Sequence, residues 1–139
     1  MASHKKIDRN CVHLAGEFFV AAELCKRGYN VALTMGNAKA IDILAEKRGG
    51  AALVQVKSVQ RKTGWPIMKD KIEKNVVYVL VCLNEPGEPP SYSIMTEHEA
   101  RESTKQYPTR GVICHATAMK LGHREAWHKV EEALRHSPR

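Results

Sequence analysis

Apolar positions near the start of the chain predict a helix over residues 7–28 that ends at Gly28. Apolar side chains recur there at steps of three and four residues, at Leu14, Phe18, Ala21, Leu24 and Cys25. Glu17 falls on the same stripe, where a carboxylate is costly to bury unless a cation, backbone donors or a metal ion pairs with it. The alternatives are a carboxylate that reaches water at the edge of the stripe, or a structural ion pair.

The next stretch predicts a β-hairpin. Two β-rich runs, 40–45 and 51–58, flank the polar, glycine-bearing segment 46–50. A first strand at 29–34 precedes them across a turn at 35–39.

The register of this hairpin decides which polar side chains meet. Side chains alternate between the faces of a strand, so Gln55 and Lys57 share one face. A loop of about two or four residues places Asp42 opposite or diagonal to them on that face, whereas a loop of odd length places it on the other. With an even loop, three polar side chains converge among aliphatic neighbours.

The second half of the chain predicts a buried strand followed by shorter elements. The run 76–83 is apolar at almost every position, which is typical of a central strand covered on both faces. A strand, a helix, an edge strand and a last helix are expected in turn at 91–95, 97–106, 112–114 and 122–135. This order predicts an α/β fold with a central mixed sheet flanked by helices, in a single domain over 1–139.

Composition and charge narrow the function classes. The chain is 43% hydrophobic and 27% charged, which is typical of a soluble globular protein. It has no apolar run of membrane-spanning length and no signal region, so we expect a cytoplasmic protein without a membrane partner. The formal net charge of +7 favours a polyanionic partner. Small buried hydrophobes, rather than disulfides or zinc ligands, are expected at Cys11, Cys25, Cys82 and Cys114.

The segment 57–74 is rich in basic residues around one tryptophan. Its candidate nucleic-acid contacts are Arg61, Lys62, Trp65, Lys69, Lys71 and Lys74. In an exposed loop these cations would contact phosphates, and the Trp65 indole would stack on a base or wedge into a groove. The alternative is a solvated loop in which Trp65 caps the core, and the pattern favours neither.

Three short motifs, Gly16-Glu17, Ile41-Asp42-Ile43 and Gln55-Val56-Lys57, resemble the PD-(D/E)xK nuclease superfamily. Within it, the chain is similar to archaeal Holliday-junction resolvases. The resemblance implies a restriction-endonuclease-like three-layer domain, with a motif core at about 12–83 and a C-terminal strand and helices at 91–136. Gln55 stands where the superfamily usually has an acidic residue, as in Mrr-type enzymes, and Ile41 replaces the proline of the motif.

The resemblance also implies a metal-dependent endonuclease that hydrolyses the phosphodiester bonds of nucleic acid, expected to be DNA. Mg²⁺ or Mn²⁺ would be held by Asp42, the Gln55 side-chain oxygen and the Val56 carbonyl, with Glu17 acting directly or through water. Lys57 would orient or deprotonate the attacking water, or stabilise charge developing on the phosphate. The candidate catalytic residues are therefore Glu17, Asp42, Gln55 and Lys57. Because an amide carries no charge, Gln55 should hold the ion more weakly than a carboxylate.

Two other functions remain open from the sequence. One is a nucleic-acid-binding module that has lost catalysis through Gln55. The other is an interaction protein in which Glu17, Asp42 and Lys57 form only an ion-pair cluster, including a cross-strand salt bridge worth about 0.2–1 kcal/mol. By analogy with nuclease relatives a homodimer is also expected, through the final helices or an edge strand.

Overall fold

The computed structural model describes residues 5–34 and 41–136, so the predicted turn at 35–39 lies outside the described residues. The helices are α1 (Arg9–Lys26), α2 (Glu97–Ser103), α3 (His115–Ala118) and α4 (His128–Glu132). The strands are β1 (Asn30–Leu33), β2 (Ile43–Lys47), β3 (Gly50–Val59), β4 (Trp65–Pro66), β5 (Val76–Cys82), β6 (Ser91–Met95), β7 (Lys105–Gln106), β8 (Gly111–Ile113) and β9 (Arg135–His136). A 3₁₀ turn spans Lys69–Lys71.

The main sheet is mixed and has the order β1-β2-β3-β5-β6, with β9 pairing with the start of β3. Strands β3 and β5 run parallel, and the other neighbours run antiparallel. Every residue of β5 is buried, as the continuous apolar run predicts. The predicted α/β fold with a central mixed sheet flanked by helices is confirmed, whereas the single domain over 1–139 stays a prediction.

Three layers build the molecule. On one face of the main sheet, α1 and α4 pack in an apolar cluster that includes Val20, Val56 and Trp127. On the other face, a second cluster joins Tyr78 and Leu80 to α2, α3 and a small sheet of order β4-β8-β7. Alternate residues of β3 therefore point into different layers.

The β2–β3 hairpin closes through two residues, Arg48 and Gly49. Both have positive φ angles, 49° and 79°, and the flanking pair is Lys47 with Gly50. Two successive left-handed residues are typical of the tight hairpin turns that match strand twist, and glycine adopts this conformation without strain. The hairpin predicted from the sequence is confirmed, and its loop has an even length.

The predicted apolar stripe of α1 is confirmed at Leu24, which is buried, and wrong at Leu14 and Phe18. The helix has apolar residues on two opposite sides. Its buried residues are Val12, Gly16, Val20 and Leu24. Leu14 and Phe18 are 51% and 57% exposed. The buried stripe passes through Gly16, where a Cβ atom would lie 1.6 Å from the Ser58 Oγ. A glycine gives no apolar signal, although it permits the closest approach of α1 to β3.

The outward side of α1 also corrects the expectation for the cysteines. Cys82 is buried and Cys114 is half-buried, but Cys11 and Cys25 are exposed on α1. We define the outer face of α1 by its exposed members, which are Cys11, Leu14, Phe18, Ala22 and Cys25.

The predicted helix over 122–135 is wrong in its extent. Gly122 and Glu125 have φ angles of 101° and 53°, which interrupt a right-handed helix, so α4 covers only five residues. The buried Lys129 holds this segment by donating hydrogen bonds to the carbonyls of Ile94 at 3.0 Å and Gly122 at 2.6 Å. Hydrogen bonds from the Lys129 side chain to backbone carbonyls therefore hold this segment, where the sequence predicts a continuous helix.

Candidate active site

Asp42 lies just before β2 and is only 7% exposed. Its backbone N–H donates to the Val54 carbonyl at 3.0 Å, although Val54 is already the strand partner of Ile43. Two consecutive residues opposite one residue form a β-bulge, which re-aims the side chain at that point. The Asp42 Oδ2 accepts a hydrogen bond of 2.7 Å from the Val56 N–H.

This bulge corrects the expected register. An uninterrupted ladder from the two-residue loop would have placed Asp42 directly opposite Gln55. Instead its carboxylate reaches the backbone of Val56, the residue between Gln55 and Lys57 in the chain. Asp42 and the Gln55-Val56-Lys57 segment are nevertheless brought together, as the sequence predicts.

Gln55 and Lys57 share one face of β3 and line a cavity of about 350 Å³. Both side chains are half-buried, whereas Val56 between them is buried on the α1 side of the sheet. Gln55 pairs with Tyr78 on β5, so the phenol forms part of the same wall. The Tyr78 hydroxyl accepts a hydrogen bond of 2.7 Å from the Glu73 N–H, and burial raises the pKa of Tyr78, which keeps it protonated at neutral pH.

The two polar side chains of β3 have no protein partners among the described residues. Within those residues, neither the Gln55 amide nor the Lys57 ammonium forms a side-chain hydrogen bond or an ion pair. The predicted Asp42–Lys57 salt bridge does not form, so the purely ion-pair interpretation of these two residues is wrong. A half-buried lysine keeps its ammonium in contact with water, so Lys57 is available to an anionic ligand that enters the cavity.

Glu17 is half-buried on α1, directly after Gly16. Because α1 covers the face of the sheet opposite to Gln55 and Lys57, Glu17 does not line the cavity. Asp42 does not line the cavity either, but its carboxylate is held against the backbone between Gln55 and Lys57. The structure therefore puts Gln55 and Lys57 in the cavity wall, Asp42 against the strand that carries them, and Glu17 in the neighbouring layer.

Asp42 and the strand segment that it contacts carry the hard oxygen ligands that Mg²⁺ and Mn²⁺ prefer: a carboxylate, the Gln55 amide and the Val56 carbonyl. Within 5–34 and 41–136, no group of three or more histidine, cysteine, aspartate or glutamate side chains is placed to hold a metal ion. The donor set thus fits a divalent ion that one carboxylate binds weakly, with water completing its coordination. It does not fit zinc, which takes nitrogen and sulfur ligands.

The basic residues predicted to contact nucleic acid are exposed, and one of them lies at the cavity. The exposed cations are Arg61, Lys62, Lys69, Lys71 and Lys74. Lys71 lines the cavity together with Lys57.

The structure decides between the two roles considered for Trp65. It is fully buried, its indole N–H donates to the Val81 carbonyl at 3.0 Å, and its ring stacks on His115 at 5.7 Å. The interpretation in which Trp65 caps the core is confirmed, and a stacking role on nucleic acid is wrong for this residue. The segment around it is not a plain loop, because β4 anchors it to β8.

Sequence reasoning missed the wall of the cavity that faces β3. This wall comprises Pro66, Ile67, Met68, Thr109, Arg110 and Gly111. The residues of β8 and the loop before it lie some fifty positions from Lys57 in the chain, and a two-residue strand such as β7 gives no periodic signal. The one available signal was the basic and aromatic Tyr107-Pro108-Thr109-Arg110 turn.

Comparison with solved structures shows that the fold occurs in a known protein. The fold is similar to that of a bacterial homing endonuclease, I-Ssp6803I, with a TM-score of 0.59 over 91% of this chain and 95% of that chain. Sequence identity is 14%, so this likeness shows a shared fold. No protein-family model matches the chain, and no curated protein matches it either.

Proposed function

We propose that this protein is a metal-dependent endonuclease that hydrolyses phosphodiester bonds of DNA. One observation carries the proposal: the Lys57 ammonium and the Gln55 amide, which have no side-chain partner among the described residues, line one cavity. The buried Asp42 carboxylate is fixed to the residue between them. The fold shared with a homing endonuclease supports the same class of reaction. Membership of the PD-(D/E)xK superfamily is part of this proposal and rests on the three motifs.

The oxygen ligands and the lysine would have different roles in the reaction. Asp42, Gln55 and the Val56 carbonyl would hold Mg²⁺ or Mn²⁺, and the ion would supply Lewis-acid polarisation of the phosphate and a lower pKa for attacking water. Lys57 orients that water or stabilises negative charge that develops on the phosphate oxygens. The bulge fixes the Asp42 carboxylate through its hydrogen bond to Val56, so the acidic side of the site is rigid before substrate binds.

Exposed cations position the nucleic acid. Cations of the basic segment contact phosphates without reading sequence, and the net charge of +7 supports a polyanionic substrate. Glu17 stays a proposed contributor through water, because it lies in the neighbouring layer.

A non-catalytic nucleic-acid-binding module is the second candidate. The small number of carboxylates favours it, since within the described ranges no cluster of three metal-ligating side chains forms. Such a protein would bind DNA with strong salt dependence and would leave it intact.

The deciding experiment offers supercoiled plasmid, single-stranded DNA, a four-way junction and structured RNA to the protein with Mg²⁺ or Mn²⁺. The proposal predicts cleavage of DNA that EDTA abolishes. If the protein binds nucleic acid but cleaves none of these substrates, the binding module becomes the supported function and the endonuclease is rejected.

The remaining partner predictions stay open. No helix in the described part of the chain is long and apolar enough to cross a membrane. The homodimer stays a proposal, and its candidate surface is the outer face of α1, where Leu14 and Phe18 expose apolar area. The cytoplasmic location also stays a prediction.

A further inference from the structure

The loop between β7 and β8, residues 107–110, stands beside the catalytic candidates. Thr109 and Arg110 line the same cavity as Gln55 and Lys57. Tyr107, at the other end of the loop, is 47% exposed. The sequence motifs assign no role to this loop.

The loop is held rigidly by one side chain, Gln106. Its Nε2 donates to the carbonyls of Tyr107 at 2.7 Å and Arg110 at 3.0 Å. Its Oε1 accepts a hydrogen bond of 2.9 Å from the backbone N–H of Lys69, in the 3₁₀ turn. The loop and the 3₁₀ turn that carries Lys71 are therefore tied together.

Close backbone contact fixes the same loop from its other end. The Ile67 N–H donates to the Gly111 carbonyl at 3.1 Å, and a Cβ atom on Gly111 would lie 2.2 Å from the Ile67 carbonyl oxygen. Only glycine fits there without displacing one backbone from the other. Arg110 is thus presented from a preorganised position, which lowers the cost of ordering it around a ligand.

The charges of the cavity wall have one sign. Lys57, Lys71 and Arg110 line it, and none of the described lining residues carries a carboxylate. Arg110 stacks over the Tyr107 ring at 5.4 Å and forms no ion pair with any described residue. A stacked guanidinium keeps its N–H edge available for hydrogen bonds, and that planar edge matches the oxygens of a phosphate.

We propose that this cavity is a nucleotide subsite, in which Arg110 and Lys71 bind a DNA phosphate next to the scissile one. The exposed Tyr107, outside the cavity at the other end of the loop, stacks on an adjacent base. The volume of about 350 Å³ falls within the range of small-molecule sites, about 300–1,000 Å³. The inference rests on the proposed function only in that the ligand is DNA. It assigns the contacts to a loop outside the three motifs.

The test measures binding in EDTA, so it does not depend on cleavage. The probe is a short DNA duplex with a single-stranded overhang, whose unstacked bases are open to an aromatic ring, and a fluorescent label. It is titrated at several salt concentrations. Arg110→Ala should weaken binding about 5-fold or more and lower the slope of log K against log salt by about one, since one phosphate contact is lost. Arg110→Lys should retain most of the slope because it keeps the charge.

Matched variants distinguish binding at this subsite from the general effect of positive charge on DNA affinity. Lys120→Ala removes one charge from an exposed residue outside the cavity and should change affinity less than Arg110→Ala. Tyr107→Ala should weaken binding about 5-fold or more, whereas Tyr107→Phe keeps the ring and should bind like the wild type.

Several outcomes overturn the inference. They are equal effects of Arg110→Ala and Lys120→Ala, wild-type affinity of Tyr107→Ala, or a wild type that binds RNA but no DNA. If the wild type cleaves DNA and Arg110→Ala binds and cleaves it equally well, the subsite fails and the endonuclease stands. If Arg110→Ala loses binding but the wild type cleaves nothing, the subsite stands and the endonuclease fails.

Discussion

The carboxylate of Asp42 and the backbone N–H of Val56 form a hydrogen bond of 2.7 Å inside the sheet. It links the acidic residue before β2 to the centre of the segment that carries Gln55 and Lys57. One group thus has a structural role, satisfying a buried N–H, and a proposed chemical role as the charged ligand. Substitutions at Asp42 can separate these roles.

Asp42→Asn should retain stability and lose activity, because its amide oxygen still accepts the Val56 N–H but carries no charge. Asp42→Ala should lose activity and also destabilise the fold by about 1–3 kcal/mol, since it leaves that N–H unsatisfied. Denaturant unfolding and a cleavage assay on the same preparations measure both effects. Equal stability of the two variants would contradict the structural role of the hydrogen bond.

Gln55→Glu should lower the Mg²⁺ concentration needed for half-maximal cleavage. It adds a second carboxylate beside Asp42 at a position that faces the cavity, and a charged ligand holds a hard cation better than an amide. Gln55→Ala is the matched control and should raise the Mg²⁺ requirement. The same Mg²⁺ dependence in all three proteins would show that residue 55 is not a ligand.

Gly16→Ala should destabilise the protein because the new Cβ would lie 1.6 Å from the Ser58 Oγ and 2.7 Å from the Ser58 Cβ. Overpacking of this kind costs about 1–3 kcal/mol. Ser58→Gly removes both atoms, so the double variant should be more stable than the sum of the single effects predicts. Strict additivity would mean that the contact between α1 and β3 at this point does not limit their approach.

Stability should fall as the pH drops through the ordinary pKa of histidine, near 6.5, because of His123. Burial, and after it the nearby Lys129, lower the pKa of His123 in the folded protein. As the pH drops, His123 therefore takes up a proton in the unfolded chain before it does so in the folded one, and the free energy of unfolding decreases. The pKa of Glu99 is also lowered: burial opposes ionisation, but hydrogen bonds from the Thr96 backbone and Lys129 outweigh it. Its contribution is complete above the ordinary carboxyl pKa and is lost at lower pH, as the pH falls through the folded value.

The measurement is the thermal midpoint across this range for the wild type and His123→Gln. The variant should show a smaller step near pH 6.5 rather than none, because burial also lowers the pKa of His115, which remains. It should keep the loss at lower pH. A wild type whose midpoint does not change as the pH passes below 6.5 would contradict the role assigned to His123.

The sequence predicted correctly those elements that a few neighbouring residues specify. The helix expected from residue 97 begins with a capping box, in which Thr96 Oγ1 accepts from the Glu99 N–H at 3.2 Å and Glu99 Oε1 accepts from the Thr96 N–H at 2.9 Å. The hairpin and the buried strand β5 are confirmed for the same reason: turn chemistry and apolar runs act over a few residues.

Features that depend on distant contacts could not be predicted in this way. Which side of α1 is buried depends on Gly16 meeting Ser58, and the burial of Trp65 depends on a carbonyl of β5. The bulge at Asp42 re-aims one side chain without any change in composition. The wall that includes Arg110 comes from two strands of two and three residues, which only tertiary pairing stabilises.

The most direct test of the proposed endonuclease compares the wild type with Lys57→Met on supercoiled plasmid in Mg²⁺ or Mn²⁺. Methionine keeps much of the side-chain volume and removes the charge, and Lys57 has no ion-pair partner among the described residues, so the variant should stay folded. The account predicts that the wild type nicks or linearises the plasmid and that the cleavage rate of the variant is lower by about 100-fold or more. A folded Lys57→Met protein that cleaves as fast as the wild type would contradict it.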